Sequence, residues 1–212
     1  LFIVGAGASC EAGLPSGEKL KGDISRLLDI RFEDGHHQNS GDTQITAALR
    51  KSVQSEGRAG DISPLLKKAW RIRDVVPSAA ISIDNFLDAH RGDKEFELCG
   101  KLAIVKAILD AELKSSLRDR GRGEPGFNLS DLIGTWYVGF FQMLTENVAR
   151  EDLDEVFANV SIITFNYDRC IERFLVQTLI EYYDIDTRFA EGLVHRLTIL
   201  HPYGQVGHLS WQ

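Results

Sequence analysis

The chain has 212 residues, with 24 Lys and Arg against 31 Asp and Glu, a net charge of −7 and a sequence pI near 5.4. That length is enough to bury one sizeable core, and the acidic balance argues against a broad nucleic-acid-binding surface. No apolar run approaches the roughly 20 residues that span a bilayer, and Leu1-Phe2-Ile3-Val4 is too short for a signal-peptide core, so a cytoplasmic protein with no membrane and no direct nucleic-acid partner is expected. Cys10, Cys99 and Cys170 are odd in number and form no C-x-x-C pair. Reduced thiols packed in the interior are expected, Cys10 included, rather than a zinc ribbon or a disulfide framework.

In chain order, Leu1-Phe2-Ile3-Val4 predicts a short strand of the kind buried in parallel sheets, followed by Gly5-Ala6-Gly7-Ala8-Ser9. Leu20, Ile24, Leu27 and Leu28 share a face and predict a helix over 17–29, entered through Pro15 and Ser16. Residues 31–43 turn polar, with Gly35, His36, His37 and Gly41 together, and predict a loop or a mobile insertion. Short helices are predicted over 43–54 and 63–74, and another begins after Ser82 as N-cap. A long helix is predicted over 93–117 and ends in a Gly/Arg/Pro loop over 120–126. Trp136, Tyr137, Phe140, Phe141 and Leu144 form an apolar face on a helix over 129–148, read as core rather than as a cofactor box. Val160-Ser161-Ile162-Ile163 predicts a second strand, a helix follows from Tyr167 or Asp168 to about Tyr183, and Leu197-Thr198-Ile199-Leu200 predicts a third. The expected architecture is one Rossmann-like α/β domain over 1–212, with a parallel sheet and a large helical insertion over about 31–158. The chain starts inside a strand without an initiator Met and stops soon after its third strand, so an excerpt of a longer protein, lacking its last strands, is expected.

Each predicted strand ends in a polar motif, and in open α/β sheets the carboxyl ends of the strands border the ligand crevice. Gly5 and Gly7 allow positive φ and let a phosphate approach the backbone. The following helix start favours an anion, and Ser9 adds a hydroxyl donor. G-A-G-A-S is neither a full G-x-G-x-x-G, since Cys10 stands third after Gly7 and the next glycine is Gly13, nor a P-loop. On the glycines alone, a tight turn with no ligand is an equal reading. Asn166 offers a donor and an acceptor to sugar hydroxyls or an attacking water, and Asp168 accepts from an amide; both also suit helix capping. His201 follows a strand pattern and precedes a Tyr-Gly turn, a setting for a general base or for a structural histidine. Phosphate cradle, Asn/Asp pair and histidine together point to chemistry on a dinucleotide.

These segments resemble the sirtuin superfamily. Gly5-Ala6-Gly7-Ala8-Ser9 with Ala12-Gly13-Leu14-Pro15 is similar to the family's G-A-G-x-S…x-G-I-P loop, and Thr164-Phe165-Asn166-Tyr167-Asp168 to its T-Q-N-x-D. His201 with Gly204 resembles its catalytic H-G with two residues inserted. The resemblance implies an NAD-binding domain in which Gly5, Ala6, Gly7, Ser9, Gly13, Leu14 and Pro15 form the phosphate and ribose loop. Asn166 would lie near the nicotinamide ribose, Asp168 at the carboxamide, and His201 would be the base. The departures are equally specific. The paired zinc cysteines are absent, so no zinc module and no metal are expected; Ser16-Gly17-Glu18 replaces D-F-R; Phe165 replaces Gln. A helical insertion stands where the zinc module would help form an acyl-peptide cleft. The chain is closer in these respects to the sirtuin-like, NAD-degrading domains of bacterial anti-phage defence proteins, and Ser82-Ile83-Asp84-Asn85-Phe86-Leu87 resembles a segment of them. This implies an NAD glycohydrolase whose substrate is NAD, forming a homo-oligomer and working with an attached or separate sensor or effector domain. An NAD-dependent protein deacylase and a non-catalytic NAD- or ADP-ribose-binding regulatory domain are the alternatives.

Overall fold

A computed structural model describes residues 1–35, 37–55, 57, 61–118, 127–209 and 211. The chain is a mixed α/β fold. Its elements in order are β1 (Phe2–Val4), α1 (Ala6–Cys10), α2 (Gly17–Leu28), β2 (Arg31–Glu33), β3 (His37–Ser40), α3 (Thr43–Ser55), α4 (Ser63–Ala79), α5 (Ile83–Ala89), α6 (Lys94–Glu112), α7 (Trp136–Thr145), β4 (Ser161–Thr164), α8 (Cys170–Tyr183), α9 (Thr187–Arg196) and β5 (Thr198–Leu200). Two 3₁₀ turns, Leu129–Leu132 and Arg150–Glu155, flank α7. The chain divides into two compact units: Leu1–Leu14 with Asp110–Gln212, and Pro15–Leu109. The expected insertion over about 31–158 is thus shared between them, its last part belonging to the first unit.

In the first unit β1, β4 and β5 form a parallel sheet in that order. Phe2 pairs with Ile162 and Ile162 with Ile199, while Ile3 pairs with Ile163 and Ile163 with Leu200. Right-handed crossovers that step in one direction across a sheet lay their helices on one face. That face carries Val4 and Ile162, packed with α7, α8 and α9 through Tyr137, Phe141, Phe174, Leu175, Leu179 and Leu193. Phe2 meets Phe140 edge-on at 5.0 Å, and Tyr137 lies 5.2 Å from Phe174. The aromatic stripe is core, as expected. The strands are not buried on both faces, however: Ile3 is 69% and Leu200 54% exposed. Alternate residues of a strand point to opposite faces, so helices on one side leave this row uncovered.

The second unit is helical, with α2 packed on α4. Ser16 caps α2, Ser82 caps α5, and the Asp93 carboxylate accepts from the Glu95 and Phe96 amides at the start of α6. Residues 31–33 and 37–40, in a segment expected as a loop, pair as an antiparallel hairpin, with Asp34 and Gly35 after the first strand both at positive φ. α4 runs past Asp74 and through Pro77. Proline removes the N–H that would bond the Arg73 carbonyl, and the Ser25 hydroxyl donates to that oxygen instead, at 3.0 Å. Further departures from the predicted elements lie in the first unit. The helix expected over 129–148 is broken at Gly134, φ +83°, into a 3₁₀ turn and α7. α6 ends at Glu112, not Leu117, and α9, capped by Asp186, was not foreseen. The expected loop over 120–126 and His36 lie outside the described residues.

Candidate active site

Because the sheet is parallel, β1, β4 and β5 all end at one edge, and the three motif segments follow those ends. They meet through side chains. Ser9, on α1 and 2% exposed, donates its hydroxyl to Asp168 Oδ1 at 3.1 Å and accepts from Asn166 Nδ2 at 2.7 Å. The backbone supports the same junction: the Phe165 amide bonds the Val4 carbonyl at 2.9 Å and the Val206 amide bonds the Tyr167 carbonyl at 2.7 Å. Asp168 also accepts from the Cys170 amide at 3.1 Å, which makes it the cap of α8 as well as a partner of Ser9. α1 is held from behind by Trp136, whose Nε1–H donates to the Ala8 carbonyl at 2.9 Å and whose backbone amide donates to the Glu11 carboxylate at 2.7 Å.

The glycine loop differs from the sequence expectation in one respect. Gly5 is extended, at φ −116°, and Gly7 is helical; positive φ belongs to Gly13, at +91°. The chain turns at Gly13, where the Leu14 amide returns to the Ser9 carbonyl, before Pro15 opens the second unit. Gly5 and Gly7 instead face open space, since a Cβ at either would meet nothing within 4 Å. The amides of Ala6 and Gly7 precede the first bond of the turn, from the Ala8 amide to the Gly5 carbonyl. Cys10 is exposed rather than packed, while Cys99 and Cys170 are buried.

His201 belongs to the same junction and is oriented by a residue that sequence reasoning missed. Its Nδ1 lies 3.0 Å from the Asn166 backbone oxygen and its Nε2 lies 3.2 Å from Glu172 Oε1. The same Glu172 oxygen accepts from Arg169 Nε–H at 2.7 Å. The three side chains are 6%, 4% and 4% exposed. Burial pulls the Glu172 carboxyl up, but the His201 hydrogen bond and the Arg169 charge outweigh it and hold the group below its ordinary value. A signal for Glu172 exists in the sequence: at helical spacing with Leu175 and Leu179 it falls on the apolar side of α8, where an unpaired carboxylate would be costly.

Other titratable groups at the junction are shifted upward by burial. Burial, then the Asp168 charge, push the Glu112 carboxyl up. Burial and the same charge push the Cys170 thiol well up, which disfavours the thiolate that a cysteine nucleophile needs. Burial likewise keeps Tyr137 a phenol. Among the described residues Asn166 Oδ1 is buried with no hydrogen-bond partner. Among the described residues no group of three or more His, Cys, Asp or Glu is placed to hold a metal, and no helix is long and apolar enough to cross a membrane. No family model, curated protein or solved structure matches the chain.

Proposed function

We propose that this chain is a sirtuin-like NAD glycohydrolase, in which water replaces nicotinamide at the anomeric carbon of the ribose to give nicotinamide and ADP-ribose. The observation that carries the reading is the joining of Ser9, Asn166, Asp168 and His201 at the carboxyl ends of three parallel strands, beside backbone left open at Gly5 and Gly7. The open backbone and first-turn amides of α1 suit the pyrophosphate. The unpartnered Asn166 Oδ1 suits a ribose hydroxyl or the attacking water. Nicotinamide leaves neutral from a cationic ring, so the protein's work is to orient the ribose, stabilise an oxocarbenium-like state and take one proton. Asn166 orients, His201 takes the proton, and Asp168 holds the carboxamide. Ser9 serves in this scheme by fixing Asn166 and Asp168, its hydroxyl being engaged by both. The setting that the sequence resemblance implies is bacterial anti-phage defence in the cytoplasm, with the chain working as a homo-oligomer under the control of a sensor or effector domain; light scattering tests the self-association.

The test is production of nicotinamide and ADP-ribose from NAD, with and without an acylated peptide, by the native chain and by His201→Ala and Asn166→Ala. Peptide-independent turnover that falls by about 10²-fold or more in either variant is expected. Turnover that requires the peptide assigns a deacylase. Binding of NAD or ADP-ribose without turnover assigns a regulatory binding domain, a reading favoured by the engagement of both His201 nitrogens.

A further inference from the structure

We infer that Glu172 is a positioning residue for His201: its carboxylate keeps the single hydrogen of the neutral ring on Nε2 and fixes the ring with Nδ1 toward the Asn166 backbone oxygen. The inference rests on the hydrolase reading only for its kinetic readout.

Both nitrogens of His201 face oxygen acceptors, Glu172 Oε1 at 3.2 Å and the Asn166 backbone oxygen at 3.0 Å. A neutral imidazole has one N–H, so it satisfies one of these and sets a lone pair against the other. An ionised carboxylate is the stronger acceptor of the two. Glu172 is ionised here because Arg169 donates to the same oxygen at 2.7 Å from an equally buried position, and an adjacent guanidinium favours the charged carboxylate. The hydrogen therefore resides on Nε2. Asp168, the carboxylate that stands out in the motif, is engaged by Ser9 and the Cys170 amide, so the residue at the imidazole is Glu172.

The carboxylate therefore fixes both the tautomer and the plane of the ring, with Nδ1 facing the Asn166 carbonyl 3.0 Å away. Glu172 touches no substrate in this scheme.

Long-range ¹H–¹⁵N spectra of the full chain labelled in histidine test the inference, with the His201 signals assigned by their loss in His201→Ala. In the native chain the neutral ring carries its hydrogen on Nε2. In Glu172→Gln the amide donates to Nε2 and the hydrogen moves to Nδ1; in Glu172→Asp it stays on Nε2. NAD turnover adds a second readout. Glu172→Gln lowers kcat on the order of 10²-fold with KM unchanged within about threefold, and Glu172→Asp recovers roughly tenfold of that loss. A native ring with its hydrogen on Nδ1, or a tautomer unchanged in Glu172→Gln, overturns the inference; the native spectrum decides alone if the Gln variant does not fold. An Nε2–H ring that depends on Glu172 in a chain without NAD turnover upholds the positioning role and removes the hydrolase reading.

Discussion

In the first unit Ser9, Asn166, Asp168, Arg169 and Glu172 are all buried, whereas among the described residues of the second unit Lys21 and Thr46 are the buried polar side chains. Lys21 there is answered simply, by the Ala80 carbonyl and Glu18. Other ion pairs of the second unit, such as Arg73 with Asp29 and Arg91 with Asp88, stand at or near its surface. Buried polar groups destabilise unless each is matched. A unit held by apolar helix packing has no need of them, and in the first unit they concentrate where three strands end.

The sharpest break in that comparison comes from Glu172→Ala, which leaves Arg169 and His201 without their shared carboxylate. We expect a loss of about 3–5 kcal/mol from the first unit, followed by urea unfolding through Trp136 and Trp211 in a Trp70→Phe background. Arg91→Ala, at an exposed pair, is expected to leave the transition of the second unit, reported by Trp70, unmoved. Gly41→Ala should act in the opposite place. Gly41 sits at φ +73° with a would-be Cβ 2.7 Å from the Ile30 backbone, and a loss of about 1–3 kcal/mol confined to the second unit is expected.

Acid tests the buried carboxylate next. The folded Glu172 carboxyl lies below its unfolded value of 4.5, so between the two values the unfolded chain binds more protons. The stability that Glu172 contributes is complete above the unfolded value and is lost as pH falls through the folded one, at up to about 1.4 kcal/mol per pH unit for this proton. Urea midpoints measured from pH 6 downward should show that limb in the first unit and lose it in Glu172→Gln. The smallest effect has two signs. Gly7→Ala places a methyl in open space on a helix and should stabilise by about 0.5–1 kcal/mol, while calorimetric titration should show weaker NAD binding if phosphates approach there. Unweakened binding would move the phosphate site away from Gly7.

The three strand-plus-motif segments were legible because each joins an aliphatic run to a polar cluster, and parallel pairing brings such ends together. Ser9 with Asp168 and Asn166 with Ser9 could not be read, since they depend on how far α1 turns before it stops. Glu172 can be placed on the apolar side of its helix by its spacing with Leu175 and Leu179, but its partner His201 lies 29 residues on, and no spacing in the sequence joins the two. The hairpin at 31–40 reads as loop because His37-Gln38-Asn39-Ser40 has little of the β-branched or aromatic character of strands. The exposure of Ile3 and Leu200 was hidden by the same rule that found their strands, because an aliphatic run gives no sign of which face stays uncovered.

The pairing of Phe2 with Ile162 also sets an order of assembly during synthesis. β1 is made before β4, its hydrogen-bonded neighbour among the described residues, which emerges on the order of ten to thirty seconds later at usual elongation rates of about 5–20 residues per second. The whole of Pro15–Leu109 is available to fold in that interval. Until then Phe2, Ile3 and Val4 lack their β4 partners, the situation in which short apolar strands find wrong ones. Because His201 follows β5, it is the last of the converging side chains to be synthesised, so a chain arrested before it holds Ser9, Asn166 and Asp168 without their imidazole.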